Sequence, residues 1–527
     1  MAYLKQQSSR VFISIVVTCS LLFGTGVSLA QHSEFSAQLL SATPSLAADS
    51  TQRFYRQFGL QARWSKRNLA ALVSAIAASE SHGLTPVEYH QQALLQASGA
   101  KRDILATDAY LALAGHLLGG KLNPISIEPT WTAKGRERDL VAYLHQALES
   151  DAVVESLTTL APQQPRYQTL LEALERYRRA LSLGGWEPIA AGPLLKPGMH
   201  SERVTALRNR LKAIDGSLQA EGDEHRYDSV LVSAVKRFQQ RANLEPDGIV
   251  GPDTLAKLNL SPQDLIDKLR VNLERWRWLP EDLGRKHIRV NIANYHLETH
   301  EGKDIRAVHD VVVGRTYRQT PIFSASMSYL VLNPWWETPS KLARKDLLPK
   351  FQRDPSIVQS LGYQILDTQG KVVDPSNMNW NEYTESRFPF RVRQQPGPMN
   401  ALGQVKFMFP NSHDVYLHDT PSRDLFSKTR RDFSSGCIRV RNPIDLVEWV
   451  IGPNPQWSRD KLENVLSSGK ETTVKLTEKI PVHLLYWTVV ADDDNDDIRF
   501  VADIYQRDQR VLLALNKLPD NKTAELP

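Results

Sequence analysis

The chain has 527 residues, 41% hydrophobic and 23% charged, so it is globular and too long for one core, and three or more domains are expected. Its formal net charge is +5, and removing Lys5 and Arg10 of an N-terminal leader leaves +3 on the remainder. So small a surplus is not concentrated enough to suggest nucleic-acid binding, and it is compatible with an anionic polymer such as a cell wall without demanding one.

In the leader, Lys5 and Arg10 precede an apolar run at 11–23, and Val27-Ser28-Leu29-Ala30 offers small side chains where a signal peptidase reads. Residues 1–30 are therefore read as a signal peptide, with cleavage after Ala30 and export to the periplasm. The chain meets a membrane only if that signal stays uncleaved, and the run is short for a spanning helix. Residues 31–185 read as helical, with Leu69, Leu72, Val73 and Ile76 at helical spacing. One helix should end at Gly83 and another start near Pro86. No catalytic cluster falls here, so the segment is read as a scaffold.

A Gly/Pro-containing linker at 185–194 leads to a compact three-helix pattern at 195–258. Val204, Leu207 and Leu211 form one apolar stripe, and Val232, Val235 and Phe238 a second. Asp247-Gly248-Ile249-Val250-Gly251 is a turn, and Pro252 suits the first position of the helix after it. A further helix at 265–278 is Arg-rich and carries Trp276 and Trp278.

From His287 the period changes to two, as in Ile288, Val290 and Ile292. Further strands are expected at 305–313, 326–332, 404–409, 413–418, 472–476, 482–490 and 498–506. Residues 265–490 thus form a β-rich domain, followed at 491–527 by a hairpin strand and tail. The stretch 338–391 interrupts the pattern with Pro, charged and helix-like sequence at 341–351, and is read as an inserted cap. The fold class is α+β, multidomain.

There are two cysteines, and Cys19 lies in the leader. Cys437 is then a lone thiol in an oxidising compartment, a liability unless its reactivity is used. It sits in Ser434-Ser435-Gly436-Cys437-Ile438-Arg439, nineteen positions after His418 in Tyr416-Leu417-His418-Asp419-Thr420. A thiolate is a strong nucleophile toward a carbonyl, and a histidine can take its proton and then stabilise it as imidazolium. The backbone N–H groups of Gly436 and Cys437 are candidate oxyanion donors. By the two-residue period Tyr416 shares the strand face of His418 and either lines the cleft or packs in the core. Arg439 either holds a substrate carboxylate or makes a structural ion pair beside the nucleophile.

His418, Ser434, Gly436, Cys437 and Arg439 resemble the L,D-transpeptidase catalytic domain, also called YkuD, in which a histidine ends one strand and a Ser-His-Gly-Cys-type motif follows. Ser435 departs from it, where most members carry a second histidine. The Ser-Ser-Gly-Cys variant resembles the large periplasmic YcbB type of Gram-negative bacteria. So do Asn333-Pro334-Trp335-Trp336, Lys406-Phe407-Met408-Phe409-Pro410-Asn411 and His418-Asp419-Thr420-Pro421. The segment 195–258 resembles a peptidoglycan-binding domain.

The resemblance implies a periplasmic enzyme that forms 3→3 peptidoglycan cross-links. Cys437 attacks the third residue of a tetrapeptide stem, D-alanine leaves, and a neighbouring stem amine resolves the thioester. It implies a backbone carbonyl as third catalytic partner, here that of Asp419, with the Asp419 carboxylate as the competing candidate. Tyr416, Arg439, Ser434, Ser435 and Trp336 are the candidate substrate-binding residues. Stem peptides are the implied partners, with other cell-wall enzymes as further candidates. No metal or organic cofactor is implied, and carbapenems should acylate the same thiol. Transfer to water would make an L,D-carboxypeptidase, and transfer to a lipoprotein lysine an attachment enzyme. A wall-binding scaffold is the non-enzymatic alternative.

Other patterns carry less. Ser467-Ser468-Gly469-Lys470 lacks the Lys-Thr-Gly partner of penicillin-recognising serine enzymes. His296, Glu298 and His300 are out of order for a zinc protease, and no cysteine pair offers a zinc site. The acidic run 492–497 lacks the Gly of a calcium loop and reads as a hairpin turn.

Overall fold

The computed structural model describes Phe35, Ala37 and residues 46–214, 222–491 and 498–517; the leader at 1–30 and the acidic run at 492–497 lie outside the described residues. The scaffold is built from α1 (Ala48–Phe58), α2 (Lys66–Ala78), α3 (Gly99–Gly119), α4 (Leu140–Glu149), α5 (Val153–Leu160) and α6 (Pro165–Ser182). Side-chain caps start two of them: Ser65 accepts from Asn68 N–H before α2, and Asp139 from Val141 and Ala142 before α4. Buried Asp108 on α3 accepts from the Leu46 and Ala47 amides and from Thr51, which fixes the entry to α1. Gly83, at φ 74°, ends a 3-10 turn over Ser79–His82, and Pro86–Tyr89 is a second 3-10 turn. The expected start at Pro86 is thus shorter than a helix.

The next module packs α7 (Glu202–Ile214), α8 (Ser229–Arg241) and α9 (Pro252–Leu258) around Leu195, Val204, Leu207, Leu211, Leu231, Val235 and Leu258. In the second expected stripe Val232 and Phe238 are only half-buried, because Leu231 and Ala234 turn inward beside Val235. Buried Gln239 ties down the glycine turn: its amide donates to Asp247 and Ile249 O and accepts from Gly248 N–H. Helix α10 (Pro262–Arg277) follows, started by a reciprocal Ser261–Asp264 capping box.

The β-rich domain opens with β1 (Lys286–Asn291), β2 (His296–Glu301), β3 (Asp304–Gly314) and β4 (Phe323–Leu332). The cap contributes β5 (Trp336–Thr338), β6 (Tyr363–Leu366), β7 (Val372–Val373) and β8 (Arg391–Gln394). Then come β9 (Val405–Met408), β10 (Leu417–His418), β11 (Asp432–Ser434), β12 (Ile438–Val440), β13 (Thr472–Leu485), β14 (Val489–Ala491) and β15 (Ile498–Phe500). Nine strands form one sheet in the order β11-β3-β12-β10-β9-β4-β13-β1-β2, and β3 also pairs with β2. The ladder therefore closes on itself, β3 meeting β2 with its first part and β12 with its last. Leu330, Phe407, Leu417, Ile438, Val482 and Leu484 are fully buried within it.

Several expectations need correction. The strand expected at 413–418 is only Leu417–His418, and those at 472–476 and 482–490 begin as one long strand, β13, with a register shift between Lys475 and Ile480. The strand expected at 498–506 stops at Phe500, and helix α11 (Asp508–Asn516) stands where a tail was expected, burying Val511 and Leu515 one turn apart. The cap is more than helix-like. It has a four-stranded sheet, β5-β8-β6-β7, and its own core of Leu348, Phe351, Val358, Ile365, Trp380 and Val392. Its strands have two to four residues, too few for an alternation to show in sequence.

Burial disfavours the charged form of several imidazoles in the fold. His82, His116 and His287 are lowered from 6.5 to about 4, and His418 to about 3. Unfolding frees each ring to take a proton below 6.5, so the unfolded state binds more protons and stability falls as pH drops through that window. Asp103 and Asp419, whose carboxyls burial raises, work in the opposite sense. The melting temperature should drop by several degrees between about pH 7.5 and 5. A flat calorimetric profile there would contradict neutral buried histidines.

Candidate active site

The site is laid out by strand register. His418 on β10 is paired with Lys406 on antiparallel β9 and with Arg439 on parallel β12. Residues in register share a face, so Lys406, His418 and Arg439 form a row across three strands. Tyr416 lies two residues before His418, its ring 5.6 Å away edge-on, and the Lys406 ammonium sits 4.0 Å from the Tyr416 ring centroid. Ile438 N–H donates to Tyr416 C=O at 3.1 Å, which sets Cys437 beside Tyr416.

His418 is 5% exposed. Its Nδ1 lies 2.5 Å from the Asp419 backbone carbonyl. A carbonyl can only accept, so Nδ1 carries the proton and Nε2 keeps its lone pair. The Asp419 carboxylate faces elsewhere, accepting from Gln404 N–H at 2.8 Å and lying 2.6 Å from Arg423. The carbonyl, not the carboxylate, meets the imidazole. Gly403 leaves room for that carboxylate, since a Cβ there would come within 2.3 Å of Asp419 Oδ2. Burial, with Arg439 and Lys406 adding repulsion, lowers His418 to about 3.

Cys437 is half-buried, and its thiol donates to Asp414 C=O at 3.6 Å. Burial pushes its pKa up, while the Tyr416 N–H and phenol and the Lys406 charge pull it down. Burial thus disfavours the imidazolium and the thiolate alike. The phenol of Tyr416 also meets the Trp336 indole, so Trp336 reaches the sulfur through Tyr416.

The other expected residues divide. Gly436 supplies a φ of 122°, and its N–H donates to Ser434 Oγ at 3.1 Å. Cys437 N–H has no partner among the described residues and is the free donor of the turn. Ser434 Oγ in turn donates to Cys437 C=O at 2.5 Å, so it braces the loop rather than facing a ligand. Ser435 is exposed and accepts from Arg318, which grips Asp346 of the cap with both guanidinium nitrogens. Arg439 makes no ion pair among the described residues, and its buried Nε has no partner.

Sequence reasoning missed Lys406, Asp414 and Thr320. Lys406 was visible only as part of a resembling stretch; its strand position beside His418 needs the register. Thr320 Oγ1 donates to Gly436 C=O at 2.8 Å from a remote loop that no local pattern marks. Among the described residues no group of three His, Cys, Asp or Glu could hold a metal, and Glu298 is instead engaged by Arg289, Arg166 and His300.

Comparison with known proteins agrees with this geometry. Residues 285–474 match the family described as "L,D-transpeptidase catalytic domain", residues 200–258 the "Putative peptidoglycan binding domain" and residues 49–174 the "Scaffold domain". A "Putative L,D-transpeptidase" of Haemophilus influenzae is 38% identical over 251 residues, 48% of this chain and 50% of that protein. The chain thus spans about half the length of that curated relative. The N-acetylmuramoyl-L-alanine amidase CwlL of Bacillus licheniformis is 40% identical over 65 residues, 12% of this chain and 18% of that protein. A solved L,D-transpeptidase from Stackebrandtia nassauensis aligns at 12% identity and TM-score 0.21, covering 57% of this chain and 97% of that one. At that TM-score the likeness carries no argument. Residues 285–474 are an L,D-transpeptidase catalytic domain of the YkuD family, carried on one chain with a peptidoglycan-binding domain and a helical scaffold.

Proposed function

We propose that this chain cross-links peptidoglycan in the periplasm as a cysteine L,D-transpeptidase. The observation that carries the reading is the His418 Nδ1–H contact to Asp419 C=O, which leaves Nε2 as a base in the strand row beside the only described cysteine. Cys437 Sγ attacks the carbonyl of the third residue of a tetrapeptide stem as His418 Nε2 takes the thiol proton. The oxyanion is met by Cys437 N–H. When the amide C–N bond breaks, His418 returns the proton to the departing D-alanine amine. The acyl group stays on sulfur as a thioester until an amine of a neighbouring stem attacks, which forms the 3→3 link and frees the thiol. Arg439 holds a substrate carboxylate bidentately, and carbapenems acylate the same sulfur. The module at 200–258 brings the enzyme to the wall, and the cap, tied to Ser435 through Arg318 and Asp346, covers the acylated cysteine. No helix among the described residues is long and apolar enough to cross a membrane.

Mass spectrometry of the protein incubated with defined muropeptides tests this. The expected result is an acyl adduct on Cys437, free D-alanine and a 3→3 dimer. Release of tripeptide alone would mean that water is the acceptor, and transfer to a lipoprotein lysine would mean attachment. Cys437→Ala should abolish adduct and dimer with an unchanged melting curve. His418→Ala should slow acylation by roughly 10²–10⁴.

A charge-removing change at Arg439 separates binding from chemistry. Arg439→Gln should raise KM for carboxylate-bearing stems by about tenfold or more, while alkylation of Cys437 by a neutral reagent changes little. Equal KM values would remove Arg439 from substrate binding.

The pH profile has a sign of its own. His418 stays unprotonated until about 3, so acylation should show no acid limb near 6.5 and should hold its rate from pH 7 down to about 5.5 while the protein stays folded. A steep loss across that interval, with folding intact by circular dichroism, would contradict a base held neutral by burial.

A further inference from the structure

In the proposed mechanism proton transfer turns His418 into an imidazolium, but burial and two neighbouring cations disfavour that charge, so a second positive group near the sulfur would help to stabilise the thiolate. Arg439 is directed to substrate in that mechanism, so the other cation in the row is the one to weigh. Lys406 is half-buried on β9, in register with His418, its ammonium 4.0 Å from the centroid of the Tyr416 ring. It makes no ion pair and no side-chain hydrogen bond among the described residues, although Asp414 and Glu471 are near enough to be felt. A half-buried ammonium resting on an aromatic face without a carboxylate is a charge placed for an anion that is absent at rest. Tyr416, the ring it rests on, reaches the Cys437 sulfur with both its N–H and its phenol.

We propose that Lys406 is a positioning residue for the reaction, the counter-cation of the Cys437 thiolate, holding the Tyr416 ring so that its phenol donates to the sulfur. The inference rests on Cys437 being the nucleophile. The proton lost by sulfur goes to His418 Nε2, and the charge left on sulfur is met by the Tyr416 N–H, the Tyr416 O–H and the Lys406 ammonium. Burial acts on Lys406 and Cys437 in the complementary sense, disfavouring the ammonium and the thiolate apart, while each favours the charged form of the other. The groups that act on the sulfur are Tyr416 and Asp414 just before β10, Lys406 on β9 and Arg439 on β12. Asp414 opposes the thiolate, which makes a nearby cation more necessary.

The thiol titration needs no stem peptide, so it stands apart from whether the enzyme cross-links stems. Alkylation of Cys437 by iodoacetamide is followed peptide by peptide in the full chain, from about pH 6 to 10, for wild type, Lys406→Met, Lys406→Gln and Lys406→Arg. Loss of the charge should raise the midpoint by about one unit and slow alkylation near neutrality about tenfold, and Lys406→Arg should keep the midpoint within a few tenths of wild type. Lys406→Gln carries the comparison if Lys406→Met does not fold. A folded Met or Gln variant that titrates with wild type overturns the proposal. So does an Arg variant that shifts as far as the neutral ones, because packing rather than charge would then be at work. A rise in KM for carboxylate-bearing stems with an unmoved thiol titration would also overturn it, assigning Lys406 to substrate.

Discussion

Arg277 and Glu274, one turn apart on α10, are both wholly removed from solvent, and their side chains meet at 2.8 Å. A charge taken fully out of water is tolerable only when all its hydrogen-bonding capacity is used, and here the partners come from distant segments. Arg277 also donates to His82 C=O and to the Tyr167 hydroxyl; Glu274 also accepts from Leu122 N–H and the Trp278 indole. Burial alone would favour a neutral Arg277, but Tyr167 and Glu274 more than offset it and hold its charge. Removing either partner would leave the other buried and unpaired, a loss of about 3–5 kcal/mol. Gly120 is part of the same constraint, because a Cβ there would stand 2.7 Å from Glu274 Oε1 and 2.8 Å from the Trp278 ring. The pair fixes α10 against the scaffold, and everything after α10 inherits that placement.

From α10 the order passes to Cys437 through polar contacts. Asn272 exchanges hydrogen bonds with Thr488, whose hydroxyl donates to Asp508, and Asp508 pairs with Arg275 at 2.6 Å. This locks the C-terminal segment onto α10. Tyr505 in that segment donates to Gly314 C=O and accepts from Thr320 N–H. Thr320 accepts from Gly314 N–H and donates to Gly436 C=O, one residue before Cys437. The turn that presents the thiol is thus held from outside its own strands. Gly314 permits the approach, since a Cβ there would lie 2.2 Å from Arg318 O.

What the sequence made legible follows from what is local. The three helices of the 195–258 module, the Gly83 break and the period-two strands around Ile288 and Val311 depend on spacing within one segment, and they stand where spacing put them. The helix at Asp508–Asn516 was missed because two buried residues, Val511 and Leu515, are too few to outweigh the preceding β pattern. The cap strands were missed because they are shorter than one full alternation. Within the site, the placing of Tyr416 beside both His418 and Cys437 could be inferred from a strand period and a motif. The engagement of Gly436 N–H by Ser434 could not, because it depends on the φ of 122° in the turn itself. Nor could the row of Lys406, His418 and Arg439, which exists only through the pairing of three strands far apart in the chain.

That row also explains why the resting site is quiet. Lys406 and Arg439 flank His418 and carry no carboxylate partner among the described residues, so a proton on the imidazole would place three cations side by side in a half-buried face. Burial first, and this repulsion after it, keep the imidazole neutral, and the thiol donates to Asp414 C=O. Two changes relieve the repulsion: an anion bound at Arg439, or negative charge formed on sulfur or on a carbonyl oxygen. In the proposed mechanism both arrive with substrate, so proton transfer from Cys437 to His418 is electrostatically coupled to binding, and until then the thiol keeps its proton.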